Sequence, residues 1–141
     1  MNWKSLPILL LLVSSMAIAQ QKPECTWSLK QVAGEPIRVS PMVFNVFLKD
    51  TPTGVNPNPE FKGIFVLKVT SDEEGCIVDV CPLRAPDESL LGAAIQTAKT
   101  WKAKPYFLNQ KPVKIQSVVG VHFEKKMITF EPLRSSPESK N

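Results

Sequence analysis

Histidine is almost missing from this chain, and His122 is the only one. That shortage argues against a histidine-rich metal centre and against a Ser-His-Asp hydrolase. Along its strand His122 alternates with Val121 and Phe123 and so falls on the solvent side. No glycine-rich loop of the phosphate-cradling kind is present. The one acidic run, Asp72-Glu73-Glu74, sits in a short turn, whereas calcium needs more widely spaced oxygens on a longer loop. Charge of one sign is scarce as well: 17 Lys and Arg stand against 13 Asp and Glu. That balance is too mild and too dispersed to imply a nucleic-acid partner. No catalytic, cofactor-binding or metal-ligating residue emerges, and the expectation is a non-enzymatic binding module that needs no cofactor.

Long apolar runs are lacking too. The longest, Leu6–Val13, is broken at Pro7 and is about half of the roughly 20 residues that an uncleaved anchor requires. Lys4 precedes it and the small residues Ala17-Ile18-Ala19 follow. Residues 1–19 therefore read as a secretory signal, with the mature chain starting near Gln20, exported to the periplasm or secreted, with no transmembrane anchor left after cleavage. Lys22-Pro23-Glu24 before Cys25 is not a lipid-attachment sequence.

Only three cysteines occur, Cys25, Cys76 and Cys81. In an exported chain they suggest one disulfide and one leftover thiol. Cys76 and Cys81 bracket Ile77-Val78-Asp79-Val80, an extended run that sets their Cα atoms about 16 Å apart at ~3.3 Å per residue. A disulfide spans about 4.4–6.8 Å, so a bridge would join Cys25 to one of the other two. Cys81 is favoured because Pro82 makes the chain irregular there; three reduced, buried cysteines are the alternative.

What the chain does contain is one helix signal and several strand signals. Leu91, Ala94, Ile95, Ala98 and Trp101 recur at helical spacing, and Pro105 forbids continuation, so a helix is expected over Ser89–Lys102 with Asp87 or Ser89 as its N-cap. Trp101 belongs to the apolar stripe and is expected to anchor the core. Gly63–Thr70 alternates with Phe65, Leu67 and Val69 inward, and Asp72–Gly75 turns it back into a strand over Cys76–Cys81. Ile115, Ser117, Val119, Val121 and Phe123 mark a last strand. Upstream, Met42–Leu48 has a strand-like composition, and Lys49–Glu60 is a proline-rich loop. Together these give an α+β fold: a small antiparallel sheet of ββαβ order with the helix on one face and the other face wet.

The series Gly63–Thr70, Glu74-Gly75, Ile77–Val80, an alanine-rich helix ending in Trp101, Lys102-Ala103-Lys104-Pro105, and Asn109-Gln110-Lys111-Pro112-Val113 before a strand closing at Phe123 resembles the TonB C-terminal domain family. Arg38-Val39-Ser40 looks like the lead-in strand of its stand-alone exported members. The family pattern would carry an aromatic at Ala103, a glycine at Gln110 and Tyr-Pro near Asn58-Pro59. The resemblance implies residues 20–60 as an N-terminal extension, 61–131 as the TonB-like domain and 132–141 as a disordered tail. It also implies a protein partner, possibly a TonB-dependent outer-membrane transporter, bound by strand addition to the edge at Lys114, Ile115, Gln116, Ser117, Val118 and Val119. Lacking an inner-membrane tether, such a protein cannot itself pull on a receptor, and a free-standing envelope or extracellular adaptor is the alternative. An open edge also allows a homodimer. Met127–Phe130 has high β-propensity and either folds back over that edge or simply extends the last strand.

Overall fold

The computed structural model describes residues 25–134; the expected signal segment and residues 135–141 of the expected tail lie outside them. Strand β1 (Ile37–Arg38) opens the regular structure and helix α1 (Pro41–Phe47) follows. Met42–Leu48 is thus not the strand its composition suggests. Ser40 and Pro41 decide the matter: the Ser40 hydroxyl accepts the Val43 N–H at 3.3 Å, and Pro41 occupies the first turn, where its missing N–H is not needed. The face that α1 buries is carried by Pro41 and Phe44. Short strands β2 (Leu48–Asp50) and β3 (Gly54–Val55) come next. Strands β4 (Gly63–Ser71) and β5 (Ile77–Arg84) then form the expected antiparallel hairpin. Its turn has Gly75 at φ +89°, where a Cβ would collide with the Ala103 carbonyl.

A single 3-10 turn over Glu88–Leu90, capped by the Asp87 carboxylate accepting the Ser89 N–H at 3.0 Å, leads into helix α2 (Leu91–Lys99), which has no side-chain cap of its own. The helix is shorter than the expected Ser89–Lys102. Its last turn tightens, with Thr100 N–H and hydroxyl both donating to the Thr97 carbonyl, and Trp101 N–H to Ala98. Beyond it β6 (Lys102–Ala103) pairs with β2. Strands β7 (Tyr106–Leu108) and β8 (Lys111–Val113) close over a two-residue turn whose Asn109 and Gln110 both have positive φ, 51° and 67°. The chain finishes with β9 (Ile115–Phe123) and β10 (Met127–Glu131).

The main sheet runs β3-β10-β9-β4-β5 with antiparallel neighbours, and β1 adds in parallel to the start of β9. It curls, because α2 packs against β5 at one end of this order and β3 at the other. Ala94 and Ala98 face the concave side, where Phe65, Leu67, Val69, Val119, Val121 and Phe123 are buried. Small helix residues let the backbones approach closely. Gly54 completes the fit, since a Cβ there would strike the buried Thr97 hydroxyl. The fold is therefore α+β with a mostly antiparallel curled sheet and two helices. No helix among the described residues is long and apolar enough to cross a membrane.

The outer face is not simply wet, as alternation suggests. Trp27, Val66 and Val118 form a second buried cluster there, with Leu83 and Leu133 packed against it. Arg38 holds the N-terminal segment over this face: its guanidinium donates to the Ser28 and Lys30 carbonyls, pairs with Glu35 at 2.6 Å and lies 6.0 Å from the Trp27 ring centre. Beside it Cys25 is bridged to Cys81, Cα to Cα 6.0 Å, leaving Cys76 as the free thiol. A crosslink across 56 positions restrains the unfolded chain by about 4 kcal/mol on chain-entropy grounds.

Two substitutions test this packing. Trp101 is 2 % exposed, donates its indole N–H to the Pro52 carbonyl at 3.0 Å and meets Phe130 edge-on at 5.4 Å. Trp101→Ala should therefore destabilise by about 3–5 kcal/mol in denaturant melts; an unchanged midpoint would place the indole outside the core. Gln110→Gly should stabilise by about 1 kcal/mol, because glycine accepts positive φ without the Cβ penalty. A lower urea midpoint would contradict the turn geometry.

Candidate functional site

Each of the six residues expected on an open edge can now be placed. Lys114 precedes β9 and is exposed; Ile115, Ser117, Val118 and Val119 are buried, and Gln116 is half-buried. The edge they were expected to form is occupied by the chain itself. On one flank β4 pairs with β9 from Ile115 to Phe123. On the other, β1 pairs at Ile115 and Gln116, with Ile37 N–H donating to the Lys114 carbonyl at 2.9 Å and Val39 N–H to Gln116 at 3.0 Å. The Ser117 hydroxyl adds a 2.9 Å bond to the Val39 carbonyl. Strand β10 then covers Gly120–Phe123. Strand β9, expected to be last and at the edge, is an interior strand, and the backbone groups that an incoming peptide would use are already bonded over most of its length.

The turn that brings β10 back has no glycine, which makes it hard to read from sequence. It needs none, because the only non-glycine residues with positive φ among those described are Asn109 and Gln110. Glu124 N–H donates to Met127 at 2.9 Å. The brace comes from the proline-rich loop. Asn56 is 4 % exposed and donates its amide to the Glu124 carbonyl at 2.6 Å and to Phe61 at 3.2 Å; its backbone N–H reaches the Lys126 carbonyl. Its Oδ1 accepts from Asn58 N–H at 3.0 Å. An asparagine 68 positions from Glu124 thus does what a turn residue normally does.

The sheet order ends at β3 on one side and at β5 on the other, and β5 is the longer of these end strands. Pro82 lacks an N–H, the register with β4 shifts at two places, and the Cys25–Cys81 bridge sits beside it. Such features blunt an edge against casual pairing. At the hairpin tip, Asp72, Glu74 and Cys76 bring their ligand atoms within 4.8 Å of one another. Asp72 Oδ1, however, accepts the Glu74 and Cys76 N–H groups at 3.0 and 2.9 Å, so this carboxylate shapes the turn.

The outer face carries a feature that sequence reading missed. Lys62, His122, Glu124, Lys125, Lys126 and Met127 line a hollow of about 470 Å³. Gly63, Ile64, Val66, Arg84, Pro86 and Leu133 line a second, of about 480 Å³. Ile64, which lines the second, and His122, which lines the first, are register partners on neighbouring strands. His122 Nδ1 stands 3.5 Å from Glu124 Oε1. In sequence these cations are scattered from position 62 to 126, and only the antiparallel pairing gathers them. Comparison with known families, characterised proteins and solved structures finds no match to this chain.

Asn56→Ala should cost about 2 kcal/mol, since it removes both bonds of a buried amide to part-buried carbonyls, and should speed amide exchange over Met127–Glu131. Unchanged exchange there would show that β10 is held independently of the brace.

Proposed function

We propose that this chain is an exported, non-enzymatic binding domain with the build of the TonB C-terminal family, β4, β5, α2 and β9 forming its ββαβ core. In this reading it serves as a free-standing adaptor or structural protein of the envelope or extracellular space, with a protein partner and no nucleic acid. The observation that carries the reading is the self-filled edge of β9, which removes the strand acceptor that an energy-transducing member would offer. The Cys25–Cys81 bridge supports an oxidising, exported location. A homodimer joined through β9 loses its basis for the same reason.

Engagement of a TonB-dependent outer-membrane transporter by strand addition is the second reading. One observation favours it: β1 is two residues long and parallel, so an incoming strand has little to displace. Titrating the isotope-labelled, disulfide-bonded protein with a synthetic transporter N-terminal plug motif separates the two. The adaptor reading expects no movement of the Ile115–Val119 amide resonances up to millimolar peptide. Saturable shifts there, with loss of exchange protection at Ile37 and Val39, would replace it with the transporter reading.

A further inference from the structure

We infer that the two hollows on the outer face form one trough for an extended acidic peptide segment of a protein partner. The inference rests on reading the chain as a protein-binding domain and gives that partner a chemistry. Its rims are cationic. Lys62, Lys125 and Lys126 stand at one end and Arg84 at the other, against Glu124 as the one carboxylate among the described lining residues. The floor between them is apolar: Ile64, 39 % exposed, with Val66, Leu133 and Met127 around it.

The dimensions select a chain over a point anion. Arg84 is on β5 and Met127 on β10, and β4 and β9 lie between them. Three inter-strand spacings of about 4.8 Å make a span of about 14 Å, the length of four or five extended residues. An isolated phosphate would meet one rim and leave the apolar floor unused. A segment with carboxylates at both ends and aliphatic side chains between them would cover Ile64 and neutralise both rims. The His122–Glu124 contact holds the lone carboxylate beside the imidazole at the trough's wall. The chain's formal net charge is only +4, so four cations around one trough concentrate what composition presents as dispersed.

The test uses the disulfide-bonded protein and a fluorescent heptapeptide with two acidic residues at each end of three aliphatic ones. A second peptide has every carboxylate replaced by its amide. Binding of the acidic peptide should shift the amides of Lys62–Val66, Arg84 and His122–Met127, and should weaken as salt rises. The double variant Lys125→Glu, Lys126→Glu and the single variant Arg84→Glu should each lose about tenfold or more in affinity, while Lys114→Glu, away from the trough, should not. Circular dichroism melts of the charge variants keep folding separate from binding. Equal binding of the amide peptide would overturn the proposal, as would recruitment to phosphatidylglycerol vesicles without peptide binding. Shifts confined to Ile115–Val119 would overturn both it and the closed-edge reading. Absence of any peptide binding would overturn the trough alone and leave the closed edge of β9 standing.

Discussion

A buried strand must find partners for its backbone on both flanks, and β9 is the strand on which this demand falls hardest. Seven of its nine residues are buried. Strand β4 answers for one side along the full length. The other side is shared between two segments from opposite ends of the chain, β1 with Val39 at the start and β10 at the finish. Unmet N–H and C=O groups in that position would each cost on the order of 1–3 kcal/mol. Much of the remaining architecture follows from meeting them. Asn56 braces the β9–β10 turn, Arg38 organises the segment leading to β1, and the disulfide keeps that segment beside the sheet.

The curl of the sheet has a similar logic. A single short helix cannot cover a flat sheet of five strands, but it can fill a concave one. Ala94, Ala98 and Gly54 permit the close approach, and Trp101 locks the helix end to Pro52 and Phe130. Because α2 takes the concave side, the outer side is left to segments from either end of the described residues. Trp27 and Leu133 cover only its middle, over Val66 and Val118. The end of the outer face that they leave bare is where Lys62, Arg84, Lys125 and Lys126 converge, and the trough is thus a by-product of how the sheet is closed.

The strong local signals were legible in the sequence. Alternation over Gly63–Thr70 and Ile115–Phe123 gave two strands in their correct positions, and Asp72–Gly75 gave the turn between β4 and β5. The spacing of Leu91, Ala94 and Ala98 gave the helix, and the apolar stripe identified Trp101 as a core residue although it lies past the helix end. The extended run between Cys76 and Cys81 excluded their pairing, and the irregular chain at Pro82 favoured Cys81 as the partner of Cys25, the pair that is bridged. In α1 the cap signal Ser40-Pro41 was present and lost to β-branched and aromatic composition, which is a weaker guide than a cap over a seven-residue helix.

Which residues alternate, which recur at helical spacing and which cannot bridge could all be read from the chain alone, because each depends on neighbours within a few positions. The fate of the β9 edge, by contrast, rests on contacts between segments distant in the chain. Met127–Glu131 has strand propensity in either arrangement; it folds back to pair with β9 and β3, and Asn56, far away in the chain, braces the turn. The basic trough belongs to the same class. Lys62, Arg84 and Lys126 have no periodic relation in sequence, and they share a surface because antiparallel pairing brings the start of β4 beside the ends of β5 and β9. Long-range pairing, not local propensity, sets both, since a strand's partners are fixed by the whole sheet's hydrogen-bond accounting.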